Sequence, residues 1–124
     1  MTKNFRREEF ACKCGCGYDR ISPKVVEMAQ TIRDVIGVPI RVTSGCRCKG
    51  HNFRVGGTSK SKHLLGLAAD ITCSKGAQVL FDLIHILKKN GRLPDLDYCI
   101  LYQSRNFIHI DCGGKRDKLY EVRP

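Results

Sequence analysis

The chain lacks any apolar run approaching the roughly 20 residues needed to span a bilayer as a helix. Its opening, MTKNFRREEFACKC, has no continuous apolar region of the kind a secretory signal requires. The expectation is a soluble protein made in the cytoplasm, which reaches any target outside by release or by another route of export. Internal repeats and linker-like stretches are also missing, and 124 residues suffice for one domain with a real core but not for two. One domain over residues 1–124 is expected. Acidic residues are absent from Val35 to Ala69, although Arg41, Arg47, Lys49, Arg54, Lys60 and Lys62 all lie within that stretch. Two-residue CxxC spacings are absent as well, which argues against the usual zinc ribbons and knuckles.

The chain instead carries a basic excess and many cysteines. There are 22 basic against 12 acidic residues, a net charge of +10. Residues 1–62 hold thirteen basic and five acidic residues, so most of the excess sits in the first half. Such a field favours an anionic partner: nucleic acid, a cell-wall polymer or a carboxylate-rich peptide. The eight cysteines fall as Cys12, Cys14, Cys16, then Cys46, Cys48, then Cys73, Cys99 and Cys112. Without a secretory signal, free thiols or metal ligands are favoured over a disulfide framework. Cysteines one residue apart bridge each other poorly, so any bond or metal on Cys12, Cys14 and Cys16 must reach a distant position. A structural zinc on that segment is one reading of it.

Local patterning predicts mixed α+β structure. Ser22-Pro23 reads as an N-cap with proline at the first helical position. Val25, Val26, Ala29, Ile32, Val35 and Ile36 follow at helical spacing, and Gly37 suits the stop. VPIRVTS (38–44) alternates as a strand. Residues 45–62 are rich in Gly, Ser, Lys and Arg and read as a loop region, with one helical turn near 51–54. AADITC (68–73) reads as a buried strand, and AQVLFDLIHILKKNG (77–91) as an amphipathic helix ending at Gly91. YCILYQ (98–103) and NFIHID (106–111) read as a hairpin turning near Ser104-Arg105, followed by a polar tail or edge strand.

Within SKHLLGLAADI (61–71), His63 and Asp70 flank an apolar run. Asp70 either follows a buried strand by chance or shares a site with His63. Alternation along 106–111 puts Phe107, His109 and Asp111 on one face, so a pairing with 68–73 would bring His109 to Asp70. Two neutral imidazoles and a carboxylate fill three positions of a tetrahedral zinc and leave the fourth for water, the chemistry of metal-assisted peptide hydrolysis. His85, in mid-helix, and His51, in the loop, read as structural or surface residues.

The pattern Ser61-x-His63-x-x-Gly66-x-Ala68-x-Asp70, with His109 on a later strand, resembles the zinc D-alanyl-D-alanine carboxypeptidase family. These peptidoglycan metallopeptidases share their fold with the hedgehog signalling domain. TSGCR (43–47), HNFRVGG (51–57), FACKCGCG (10–17) and FIHIDCG (107–113) extend the resemblance over nearly the whole chain. It implies a hedgehog/D,D-peptidase-like fold, a central mainly antiparallel sheet with flanking helices. It also implies one catalytic zinc on His63, Asp70 and His109, with Arg47 contacting the substrate carbonyl and stabilising the oxyanion. Ser61 contacts substrate or orients its loop, and Asn52, Gly56 and Gly57 shape the loop. The positions where many relatives carry a His or Glu general base are Asn106 and Phe107 here. Asp111 is the nearest replacement, either as general base or orienting the attacking water, or else as a partner of a ligand.

The expected function is therefore a zinc peptidase cutting stem peptides or cross-links of peptidoglycan as a monomer, as carboxypeptidase or endopeptidase, with a phage endolysin as one setting. The alternative is a non-catalytic zinc-containing cell-wall or partner-binding domain of the same fold. A nucleic-acid module is disfavoured, because only Phe53 offers an aromatic within the acid-free segment.

Overall fold

The computed structural model describes residues 1–124. Helix α1 (Pro23–Ile36) starts where the Ser22 hydroxyl accepts from the Lys24 N–H, and stops at Gly37, which takes a left-handed φ of 78°. Its buried face is Val25, Val26, Met28, Ala29, Ile32 and Ile36. Val35, expected on that face, is exposed. The strands are β1 (Ile40–Ser44), β2 (Ala68–Cys73), β3 (Tyr98–Tyr102), β4 (Phe107–Asp111) and β5 (Tyr120–Arg123). Strand β1 begins two residues later than the alternation implied, after Pro39, which has no N–H to give a ladder. Helices α2 (Lys49–Arg54) and α3 (Ala77–Lys89) complete the regular structure, with 3-10 turns at Arg7–Phe10 and Lys62–Leu65. No helix is long and apolar enough to cross a membrane.

The sheet order is β1-β2-β4-β3-β5, antiparallel except for the parallel pair β3/β5. The polar tail thus supplies an edge strand. Register sorts the two faces, because residues opposite one another point the same way. Val42, Ile71, Ile108 and Leu101 form one row, and all four are buried against α1 and α3 within a contiguous core of 25 residues. Ser44, Asp70, His109, Ile100 and Glu121 form a row on the opposite face. Ser44 reaches that row through a β-bulge: β1 uses two steps, Val42 to Ser44, where β2 uses one, Ile71 to Asp70. One face of the sheet is therefore core, and the other is free to carry chemistry.

Candidate metal centre

His63 arrives from the 3-10 turn preceding β2. Its hydrogen bonds begin with Ser61, whose hydroxyl accepts from the His63 N–H at 3.3 Å and caps the turn. Gly66 ends the turn at φ 70°, and a Cβ there would lie 2.1 Å from the Arg20 carbonyl oxygen. Neither the backbone angle nor the space admits a side chain. The chain then enters β2, which buries Ala68, Ala69 and Ile71 and presents Asp70 directly opposite His109 on β4. The apolar residues between the two polar ones anchor the backbone that aims them.

The hydrogen bonds fix which ring atoms face inward. His63 Nδ1 lies 2.7 Å from the Gly45 carbonyl oxygen. A carbonyl only accepts, so Nδ1 carries the proton and Nε2 presents a lone pair. His109 Nε2 lies 2.7 Å from Asp111 Oδ2, which leaves Nδ1 as the inward atom of the neutral ring. Asp70 Oδ1 sits 3.2 Å from His63 Nε2 and 3.1 Å from His109 Nδ1. The three ligand atoms lie within 4.8 Å of one another. A tetrahedral zinc with N and O ligands at about 2.0–2.1 Å separates adjacent ligand atoms by about 3.3 Å, so the donor set fits that ion in both chemistry and spacing.

Charge at the cluster follows the same logic. Burial alone would raise the Asp70 carboxyl, but hydrogen bonds and charge from His109 and His63 outweigh it and hold it well below the usual carboxylate range. Burial alone would lower His109, and the flanking Asp111 and Asp70 carboxylates reverse this and push it up. Three acceptors aimed at one point accommodate a cation or a proton there, and a proton on His109 Nδ1 is what a metal ion must displace.

Arg47 is held on three sides. Its Nη2 donates to Asp70 Oδ2 at 3.2 Å, its Nη1 to Asn52 Oδ1 at 3.2 Å and its Nε to Ser44 Oγ at 3.0 Å. The bulge in β1 is what brings Ser44 to it. A guanidinium has five N–H donors, so two remain uncommitted at the cleft wall. Asn52 is buried and donates to the Thr58 carbonyl, so it shapes the loop and steadies Arg47 at once.

Asp111 is fully buried. Its Oδ2 takes His109 Nε2 and Arg116 Nη2, the latter at 3.2 Å, and its Oδ1 accepts from the Gly113 N–H at 3.2 Å. It therefore lies behind the His109 ring, on the side away from Asp70 and His63. Asn106, at φ 55° in the β3–β4 turn, turns its Oδ1 to the Ala77 N–H. His85 stacks on Tyr120 at 3.5 Å between ring centroids and fastens β5 to α3. His51 lies in α2, half-exposed.

The site opens into a cleft of about 410 Å³. Its cationic lining combines Arg47, Lys60 and Lys62 from the acid-free segment with Arg105 from the β3–β4 turn, Arg116 from the loop after β4 and Arg123 from β5. The last three were not singled out from the sequence. Arg116 lies 4.3 Å above the Tyr98 ring, and the Tyr98 hydroxyl donates to Glu121, which Arg123 also grips. These groups meet only because β5 folds back beside β3, which no local pattern announces.

The mainly antiparallel sheet presents two imidazoles and a carboxylate at the floor of a cationic cleft, a donor set of the kind that zinc hydrolases use. The family model for Peptidase M15 matches residues 3–111, and the chain belongs to that family. Its members are zinc-dependent peptidases, and the architecture fits the family's hedgehog/D,D-peptidase fold. None of the curated proteins matches the chain.

Proposed function

We propose that the chain hydrolyses a peptide bond in peptidoglycan stem peptides or their cross-links, as a D-alanyl-D-alanine carboxypeptidase or an endopeptidase. The observation that carries this reading is the convergence of His63 Nε2, Asp70 Oδ1 and His109 Nδ1, with His63 Nδ1 turned to the Gly45 carbonyl and His109 Nε2 to Asp111. These three atoms would hold the zinc ion. Bound there, zinc polarises a carbonyl and lowers the pKa of its water to about 7. Arg47 turns its two free N–H donors toward charge that develops on the scissile carbonyl oxygen, and its three other contacts keep it from reorganising as it does so. Asp111 holds the His109 ring in the tautomer that exposes Nδ1 and acts as a positioning residue. Ser61 keeps the His63 turn closed.

The cationic lining suits the free carboxylates of stem peptides, and the cleft is complete within one chain, which suits action as a monomer. Its place of action is the cell wall, reached from the cytoplasm by phage-type lysis or other export. One observation favours a second reading, a non-catalytic wall-binding domain: the carboxylates at the cleft are already committed, Asp70 to the histidines and Arg47, and Asp111 to His109 and Arg116. Incubation of the zinc-loaded protein with purified cell walls, followed by mass spectrometry, separates the two. New peptide termini that disappear in His63→Ala are expected. Walls left without new termini would overturn the peptidase reading.

A further inference from the structure

Beyond the centre on the sheet, the fold gathers a second set of metal-binding atoms. Cys12, Cys14, Cys16 and Cys48 bring their sulfurs within 4.8 Å of one another. Cys12 Sγ and Cys14 Sγ are 3.5 Å apart, and Cys14 Sγ and Cys48 Sγ are 3.7 Å apart. A disulfide needs about 2.05 Å. A tetrahedral zinc with sulfurs at about 2.3 Å spaces them by about 3.8 Å, close to what is found here.

We propose that these four cysteines bind a second, structural Zn2+ as a closed four-thiolate site. Cys48 is the distant fourth ligand that the one-residue spacing of Cys12, Cys14 and Cys16 demands. The backbone supports charge on the sulfurs: the Cys48 N–H donates to Cys12 Sγ and the His51 N–H to Cys48 Sγ, each at 3.4 Å. Gly15 and Gly17, at φ 83° and 91°, let the CKCGCG segment wrap so that all three of its sulfurs face one point. Cys46 takes no part; it is buried, and its N–H donates to the Phe10 carbonyl at 2.8 Å.

The position of this site gives it a role. Cys48 directly follows Arg47, and the Arg47 N–H donates to the His63 carbonyl at 3.0 Å. Tyr18, just past the cysteine turn, donates its hydroxyl to the Leu64 carbonyl at 2.7 Å. A Cβ on Gly45 would lie 2.4 Å from the Phe10 carbonyl oxygen, so the N-terminal segment packs tightly on the strand that leads to Arg47. A zinc on the four sulfurs would thus clamp residues 12–16 to residues 45–48 and fix the loop that supplies Arg47 and the Gly45 carbonyl of the first site. A four-thiolate set without an open position is structural rather than catalytic.

Metal content per chain and the spectrum of the Co2+-substituted protein test the proposal. The parent is expected to hold two zinc ions, and its Co2+ form to show sulfur-to-metal charge-transfer absorption. Cys14→Ser/Cys16→Ser, which alters two exposed side chains, should retain one zinc and lose that absorption. His63→Ala should also retain one zinc but keep the absorption. A parent Co2+ form without the sulfur band, or a zinc count unchanged in the double cysteine variant, overturns the second site. Failure of the first site is separate, since it shows only as a zinc count unchanged in His63→Ala.

Discussion

Asp111→Asn and Asp111→Ala distinguish a positioning carboxylate from a general base. In the wild-type chain the buried carboxylate accepts from His109 Nε2 at 2.7 Å and from the Gly113 N–H at 3.2 Å, and it pairs with Arg116. Alanine removes all three contacts and frees the imidazole to rotate or to change tautomer. Removing such a partner of a ligating histidine costs about 10–100-fold in metal affinity, or about 1.4–2.7 kcal/mol. Loss of a hydrogen bond to a charged group inside the protein adds about 1.5–3 kcal/mol to the folding cost. Asparagine can still accept from Nε2 through its amide oxygen, so its loss should fall at or below the lower end of the affinity range. The assay is zinc affinity by chelator competition, measured beside turnover. Activity should track zinc occupancy in both variants and recover at saturating zinc. If Asp111→Asn bound zinc like the parent yet lost turnover by about 100-fold or more, the scale of a missing general base, the positioning role would be refuted.

Other perturbations probe the surrounding frame. Arg47→Lys keeps the charge but cannot reproduce contacts to Asp70, Asn52 and Ser44 together; kcat should fall by about 100- to 1,000-fold with zinc content retained, and an unchanged kcat would remove Arg47 from the reaction. Gly66→Ala forces a Cβ into a left-handed position facing the Arg20 carbonyl; it should cost at least about 1–2 kcal/mol and visibly lower the calorimetric midpoint, and an unshifted midpoint would contradict the packing described. In the zinc-free protein the raised His109 contributes stability that is fully present below its unfolded value of about 6.5 and is lost as pH rises through its higher folded value. The zinc-free thermal midpoint should therefore fall across that window, while zinc affinity rises over the same window as the competing proton leaves. A zinc affinity independent of pH would count against His109 as a ligand.

Much of this arrangement was legible because it rests on local periodicity. The buried run AADITC and the alternation in FIHID point to two strands whose pairing would bring His109 to Asp70, and the structure makes these two residues direct partners. The Ser22-Pro23 start and Gly37 stop framed α1, although Val35 turned out to face solvent. What escaped was non-local. The bulge at 42–44 depends on pairing with β2, and only the bulge brings Ser44 to Arg47. The parallel placement of β5 decides that Glu121 meets Tyr98 and that Arg123 joins the cleft. Cys48 was visible as a cysteine, but its meeting with Cys12, Cys14 and Cys16 is a product of chain crossing rather than of spacing. The burial of Asp111 and its hydrogen bond to His109 Nε2 depend on the pairing of β4 with its neighbours and carry no local sequence signal.

His63, Asp70 and His109 are proposed to hold the zinc through particular atoms. Crystallographic anomalous scattering at the zinc edge tests it directly. A peak is expected about 2.0–2.2 Å from His63 Nε2, Asp70 Oδ1 and His109 Nδ1, with His63 Nδ1 still on the Gly45 carbonyl and His109 Nε2 still on Asp111. A peak bound through His109 Nε2, or no zinc among these three residues, would contradict it.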